Sequence, residues 1–321
     1  MFKKGASLLL VLLTLLSIFI GCQPKPEETP YEEIPASQYD AEEPGYRRTV
    51  LYFEDEDGYM VPVMKKIKME EGIGKAALSQ LMETAAQSLQ ASGLYAILPD
   101  DAKIDLDVTN KLATLDMNKK AYEAYNALQE SNKIIALVNT LTEFSTVDKV
   151  QFLVDGQKVS KLEFGTEIGK PISRYVLNPE SASEDVDSKS AGKLMLYFGS
   201  QQGTHIVPIT RYVKGEPDVE TAVAEYVKGP VDTMALMNGI PADTKLLEAK
   251  LDDKGALSIN FSKEFKALME DAKAEASALK GLYLTCYKFD NVKDVNILVE
   301  GEAYEGTAET MAAPVFPNSF Q

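Results

Sequence analysis

The chain has 321 residues, with 49 aspartates and glutamates against 33 lysines and arginines and a formal net charge of −16. That acidity makes nucleic acid and anionic lipid headgroups poor partners, and its plainest consequence is solubility. One histidine and two cysteines argue against a disulfide framework or a histidine-built metal centre.

Lys3-Lys4, an apolar run from Leu8 to Leu13 and further apolar residues to Ile20 predict a secretory signal over residues 1–21. Gly21-Cys22 resembles the lipobox of bacterial lipoproteins, which implies cleavage before Cys22 and acylation of its thiol. Phe19 departs from that pattern, where an aliphatic residue is usual. An uncleaved anchor is the alternative, since the run approaches the ~17 residues that just span a bilayer. Both readings put the body of the protein outside the cytoplasm. Residues 22–46, Pro- and Glu-rich without apolar periodicity, read as a solvated tether.

Leu51-Tyr52-Phe53, a polar turn ending at Gly58, and Val61-Pro62-Val63 predict a strand hairpin. Ile73, Ala77, Leu78, Leu81, Met82, Ala85 and Leu89 share one helical face, entered through Gly72 and Gly74. Leu98-Pro99, with Asp101 and Lys103, turns into a new strand. Ala113, Leu115 and Met117 alternate with polar residues, the period of a half-buried strand. Asn118 stands where it can cap a second helix, whose face is Tyr122, Tyr125, Leu128, Ile134, Ile135, Val138 and Leu141. Glu130-Ser131-Asn132-Lys133 interrupts that face and predicts a turn or kink. Val147, Val150, Phe152 and Val154 form a last strand before Asp155-Gly156, and Pro171-Ile172 closes the segment.

After a polar stretch the same stations return. Leu196-Tyr197-Phe198, Gly203 and Val207-Pro208-Ile209 repeat the hairpin. Asp218 caps a helix carrying Val219, Ala222, Val223, Tyr226 and Val227. Ile240-Pro241, Asp243 and Lys245 repeat the turn; Leu257, Ile259 and Phe261 the strand; Ser262 the cap position. Phe265, Leu268, Met269, Ala272, Ala276, Leu279, Leu282 and Tyr283 repeat the helix face. Val292, Val295, Ile297 and Val299 precede Glu300-Gly301, with Pro314-Val315 closing. The chain is therefore read as two tandem copies, residues 47–178 and 191–321, joined by a flexible linker over 179–190 as loosely coupled beads. The predicted class is α+β, with helices packed on one face of a mostly antiparallel sheet.

The duplication tests every candidate for chemistry. Glu54-Asp55-Glu56-Asp57-Gly58 could suggest a calcium loop, but it lacks the remaining EF-hand spacing, and Gly199-Ser200-Gln201-Gln202-Gly203 has no carboxylate. Asp105 and Asp107 share a strand face, yet Leu247 and Ala249 stand opposite them in the alignment; a water-facing edge is expected. His205 has no ligating companion and reads as structural or exposed. Lys103 and Lys245 recur but read as surface. Cys286 aligns with Leu141 and reads as a core residue. No metalloprotease pair, nucleophile elbow, phosphate loop or dinucleotide fingerprint is present, so no catalytic, cofactor or metal residue is assigned.

With these stations in place, the chain resembles the GerM family of sporulation and germination lipoproteins, each copy being similar to the GerMN domain. Leu51-Tyr52-Phe53, Leu196-Tyr197-Phe198, Val61-Pro62, Val207-Pro208, Leu98-Pro99, Ile240-Pro241, Lys228-Gly229-Pro230 and Asn260-Phe261-Ser262 carry the resemblance. Its most specific element is Val138-Asn139-Thr140-Leu141-Thr142-Glu143-Phe144, followed by Val147-Asp148-Lys149-Val150 and Asp155-Gly156. Copy one departs by having Glu83-Thr84 where copy two has Gly-Pro, so its first helix is expected to run longer. The resemblance implies a lipid-anchored, non-enzymatic assembly protein whose partners are envelope or sporulation proteins, with itself in a ring-like assembly as one option. Two rivals remain: an extracytoplasmic ligand-binding lipoprotein and an envelope hydrolase.

Overall fold

The computed structural model describes residues 45–70, 72–180, 186–187, 190–237, 239–306 and 316–319. The signal, Cys22 and nearly all of the tether lie outside the described residues, as do Pro314 and Val315. Among the described residues no helix is long and apolar enough to cross a membrane.

Copy one opens with an antiparallel hairpin of β1 (Tyr46–Asp55) and β2 (Met60–Lys68), Leu51 facing Val63 and Phe53 facing Val61. Next come α1 (Ile73–Ser79), the single turn α2 (Glu83–Ala86), a 3-10 segment over Gln87–Ser92, and β3 (Leu94–Tyr95), which pairs with the end of β1. The longer first helix expected here does not form. At Leu81 the carbonyl is taken by the N–H groups of Ile97 and Leu98 (2.9 and 3.0 Å), and Glu83 N–H bonds Leu98 O, so the chain pairs sideways instead of continuing as a helix.

The second half of the copy holds β4 (Ile104–Thr109), β5 (Leu112–Met117), α3 (Ala127–Leu141), β6 (Lys149–Val154) and β7 (Ile172–Ser173), a four-stranded sheet in the order β4-β5-β6-β7. β5 and β6 run parallel because α3 and its flanks carry the chain back across the sheet. The kink expected at Glu130–Lys133 is absent, and α3 runs unbroken. Glu130, Asn132 and Lys133 are buried but partnered: Asn132 bonds Glu54 and Gly58, and Lys133 Nζ bonds the carbonyls of Ala121 and Glu123.

Copy two repeats the order with β8 (Gly192–Gly199), β9 (Ile206–Val213), α4 (Val219–Val227), β10 (Leu246–Leu251), β11 (Ala256–Phe261), α5 (Ala272–Cys286), β12 (Asp294–Val299) and β13 (Glu302–Ala303). β11 and β12 again form the parallel pair. Asp218 caps α4 as expected, accepting from Thr221 N–H at 2.8 Å. Asn118 and Ser262 do not cap the second helices. Their side chains accept from Lys103 N–H (2.8 Å) and Lys245 N–H (2.9 Å), fastening the turn before β4 and β10. Asn126 and Asp271, further along, are the caps of α3 and α5.

The fold is thus α+β in two repeated sheet-and-helix units, rich in antiparallel pairing. The expected sheet is in two pieces in each copy, an opening hairpin (joined by the short β3 in copy one) and a four-stranded sheet. The long helices tie them to one another. Thr140 Oγ1 on α3 accepts the N–H of Tyr52 on β1, and Thr285 Oγ1 on α5 accepts that of Tyr197 on β8, each at 3.2 Å. Helix side chains there replace the strand neighbour that β1 and β8 lack along this stretch.

Candidate functional site

The most elaborate polar constellation lies where the two copies meet, along β2 and β9. Both strands carry a proline, Pro62 and Pro208, and neither can offer a ladder N–H at that point. Two asparagines fill the gap. Asn178 Oδ1 accepts from Met60 N–H (2.9 Å), while its Nδ2 donates to Met60 O (2.9 Å) and, across the joint, to Pro208 O (2.7 Å). Asn318 Oδ1 accepts from Ile206 N–H (2.8 Å), and its Nδ2 donates to Ile206 O (2.7 Å) and, across the joint, to Pro62 O (3.0 Å). Thr210 N–H then bonds Asn178 O, and Met64 N–H bonds Asn318 O. Every outward-facing main-chain group of β2 from Met60 to Pro62 is satisfied in this way.

The linker starts at the same joint. Glu180 N–H bonds Thr210 O at 2.9 Å, and the Glu180 carboxylate holds the Arg211 guanidinium at 2.7 and 3.2 Å. Arg211 also donates to the carbonyls of Glu225 and Gly229, so this nearly buried charge is fully engaged. The expectation of loosely coupled beads does not hold, because residues 178–180 and 318–319 stitch the copies edge to edge.

The hairpin tips add contacts in both directions. Tyr59 reaches from copy one to Asp232 (3.0 Å). His205 reaches from copy two into copy one, its Nε2 3.1 Å from Asp55 Oδ2 and its Nδ1 2.9 Å from Ser92 O. Both side chains of the His205–Asp55 pair are 2% exposed. Thr204 Oγ1 lies 3.1 Å from His205 Nδ1, so Asp55, His205 and Thr204 have the connectivity of a nucleophile relay. The chemistry does not fit one. Ser92 O only accepts, so Nδ1 carries a proton and has no lone pair for the threonine hydroxyl, which itself donates to Ser92 O at 2.9 Å. The arrangement fastens; it does not activate.

The family model described as "Germane: Sporulation and spore germination" matches residues 50–160 and 195–305, one segment in each copy. The chain belongs to the Germane family. It is 26% identical over 276 residues, covering 83% of this chain and 75% of the relative, to the spore germination protein GerM of Bacillus subtilis strain 168. A solved structure of the tandem GerMN domains of the B. subtilis sporulation protein GerM superposes with a TM-score of 0.62 at 24% identity, covering 85% of this chain and 99% of that one.

In this Germane-family chain the residues singled out from sequence are scattered. Asp105 and Asp107 lie exposed on the edge strand β4. The Glu54–Gly58 cluster forms the copy-one hairpin tip, where Asp55 Oδ1 is already bound to the N–H groups of Asp57 and Tyr59. Burial, then neighbouring Asp55, Glu56 and Asp232, raises the Asp57 carboxyl above its ordinary range. Cys286 is wholly buried on α5, and burial pushes its thiol up, away from the reactive thiolate. Cys22 lies outside the described residues. No group of three or more His, Cys, Asp or Glu side chains is placed to hold a metal among the described residues.

Sequence reading missed Asn178, Asn318, Thr140, Thr285 and the buried pair Glu130 and Glu275. Glu130 takes the N–H groups of Phe164 (2.7 Å) and Thr166 (2.9 Å), and Glu275 the hydroxyl of Tyr304 (2.6 Å). Recurrence of a glutamate in the first turn of both long helices was the signal available.

Proposed function

We propose that this chain is a membrane-anchored, non-enzymatic assembly protein of spore formation and germination, held by a lipid on Cys22 and working through protein–protein contacts outside the cytoplasmic membrane. Its relationship to a spore germination protein supports the biological setting. The observation that carries the mechanism is the use of the buried polar side chains. Those that recur in both copies, and the His205–Asp55 pair, are engaged within the fold or at the joint, so none of these side chains is a free acid, base or nucleophile.

Deleting the gene from its spore-forming host should impair sporulation or germination, and a full-length copy should restore it. A copy carrying His205→Gln, Asp105→Asn and Cys286→Ala, shown to be folded by circular dichroism, should restore it nearly as well. A folded triple variant as defective as the deletion would locate chemistry at those residues and overturn the reading. Cys22→Ala should abolish fatty-acid labelling; labelling that persists would remove the anchor from the proposal.

A further inference from the structure

The joint has a property that neither copy needs for its own stability: its contacts come in interchangeable pairs. Asn178 grips Met60 on its own copy and Pro208 on the other; Asn318 grips Ile206 on its own copy and Pro62 on the other. Met60 corresponds to Ile206, and Pro62 to Pro208, in the duplicated hairpins. Two further bridges obey the same rule, the tail at Ser319 lying beside Met64 and the tail at Pro179 beside Thr210. Exchanging the copies returns the same set of bonds. A surface that meets its like in this way is an isologous interface of the kind that builds two-fold dimers, here closed within one chain.

In these paired contacts the asparagine amides meet main-chain atoms across the joint, so this part of the pairing asks only for the hairpin shape, its proline and a terminal asparagine. Asymmetry enters at Arg211, which takes the Glu180 carboxylate, and at the tips, where His205 is built to meet Asp55 and Ser92, so the geometry favours copy two against copy one. We infer that the β2/β9 face is a pairing surface whose occupant can equally be the matching half of a second copy of this chain, and that full chains exchange halves through it. The exchanged form keeps every bond of the closed one and differs in the path of residues 181–191. A linker of this kind supplies an effective concentration on the order of millimolar, so the closed chain dominates in dilute solution and exchange appears when chains are crowded.

The inference stands apart from the sporulation role and is tested without it. Two differently tagged full-length chains are mixed at high and at low concentration and mixed-tag species counted by sequential affinity capture and light scattering. A second variant lacks residues 181–190. Glu180 lies on the outer side of β9, against Thr210, and Gly192 on its inner side, opposite Val213. These positions are two strand spacings apart, ~9.5 Å. Ala191 alone can bridge only ~7 Å, so that variant cannot close on itself.

Mixed-tag dimers should rise with concentration in the intact chain and dominate in the shortened one. In the shortened chain, which has no closed form to compete, Asn178→Ala with Asn318→Ala should lower them at least tenfold, while Asp105→Lys on the far edge leaves them unchanged. Intact chains that stay monomeric at all concentrations, even after refolding as a concentrated mixture, would overturn the inference. So would dimers of the shortened chain that survive the double asparagine change, since they would use another surface.

Discussion

The two copies are nearly the same experiment run twice, and they part company in a consistent place. On the long helix and the central strands key positions agree: Thr140 and Thr285 catch the same strand N–H, and Leu115 and Ile259 fill the same core position. At the hairpin tips they differ. Asp55 and Ser200 both close their turns by accepting the tip N–H groups, but only Asp55 has a second oxygen left to meet the other copy's His205. Agreement marks what the domain needs to fold. Divergence at the tips marks what makes one copy recognise the other.

The largest effect should come from breaking that divergence. His205→Leu strands the Oδ2 oxygen of the buried Asp55 carboxylate at the joint, and removing one partner of such a buried pair costs about 3–5 kcal/mol. The matching change at the other tip, Tyr59→Phe, removes an exposed bond to Asp232 and should cost under about 1 kcal/mol. Urea denaturation of both variants measures the gap. Equal losses at the two tips would mean that the His205–Asp55 contact does not set the joint.

Core positions test the agreement. Leu115→Ala and Ile259→Ala remove side chains with no exposed surface from equivalent strands, each at a cost of about 2–5 kcal/mol. A loss below half a kcal/mol at both would place the wrong strand faces inward. A step smaller, Thr140→Val and Thr285→Val keep the shape and delete the acceptor for a buried N–H, costing about 1–3 kcal/mol each. Similar values at the two sites are expected, and a neutral result at both would remove the helix-to-hairpin bond from the account of the fold.

The sequence carried the element order because its apolar periods of two and of three to four are imposed by burial, which leaves a mark on every second or third residue. Turns were legible where a backbone needs a special residue: Asp155-Gly156 and Glu300-Gly301 both adopt positive φ, as such pairs do in tight hairpins. The joint was not legible. Asn178 and Asn318 bond main-chain atoms, and a main-chain partner leaves no trace in the sequence. Each sits beside a proline near the end of its copy, away from any apolar period. Pro62 and Pro208 were the clue that remained. A proline repeated in the second strand of both hairpins says that this edge does not continue as an ordinary ladder. Helix α3 misled for the opposite reason, since Glu130, Asn132 and Lys133 are polar yet buried, each held by partners distant in sequence.

Lys133 gives the sharpest separation of the copies. Its counterpart on α5 is Ala278, so any response belongs to copy one alone. Burial lowers the Lys133 ammonium to about 8, against the opposing pull of Glu123 and Glu54. A lysine in the unfolded chain titrates near its ordinary value of about 10.4. Below about pH 8 both states hold the proton, and the folded state bears the full cost of the buried charge. As pH rises past 8 the folded state releases its proton first, the unfolded chain then binds more protons, and stability increases until the unfolded lysine also titrates. The wild type should therefore gain stability from Lys133 between pH 8 and 10. Lys133→Met, which also gives up the bonds to the Ala121 and Glu123 carbonyls, should lack that rise while starting from a lower value. Denaturant midpoints for both proteins at pH 7.5 and 9.5 isolate the difference from every other titrating group. If the two proteins respond to pH in parallel, Lys133 is not the buried charge that distinguishes copy one.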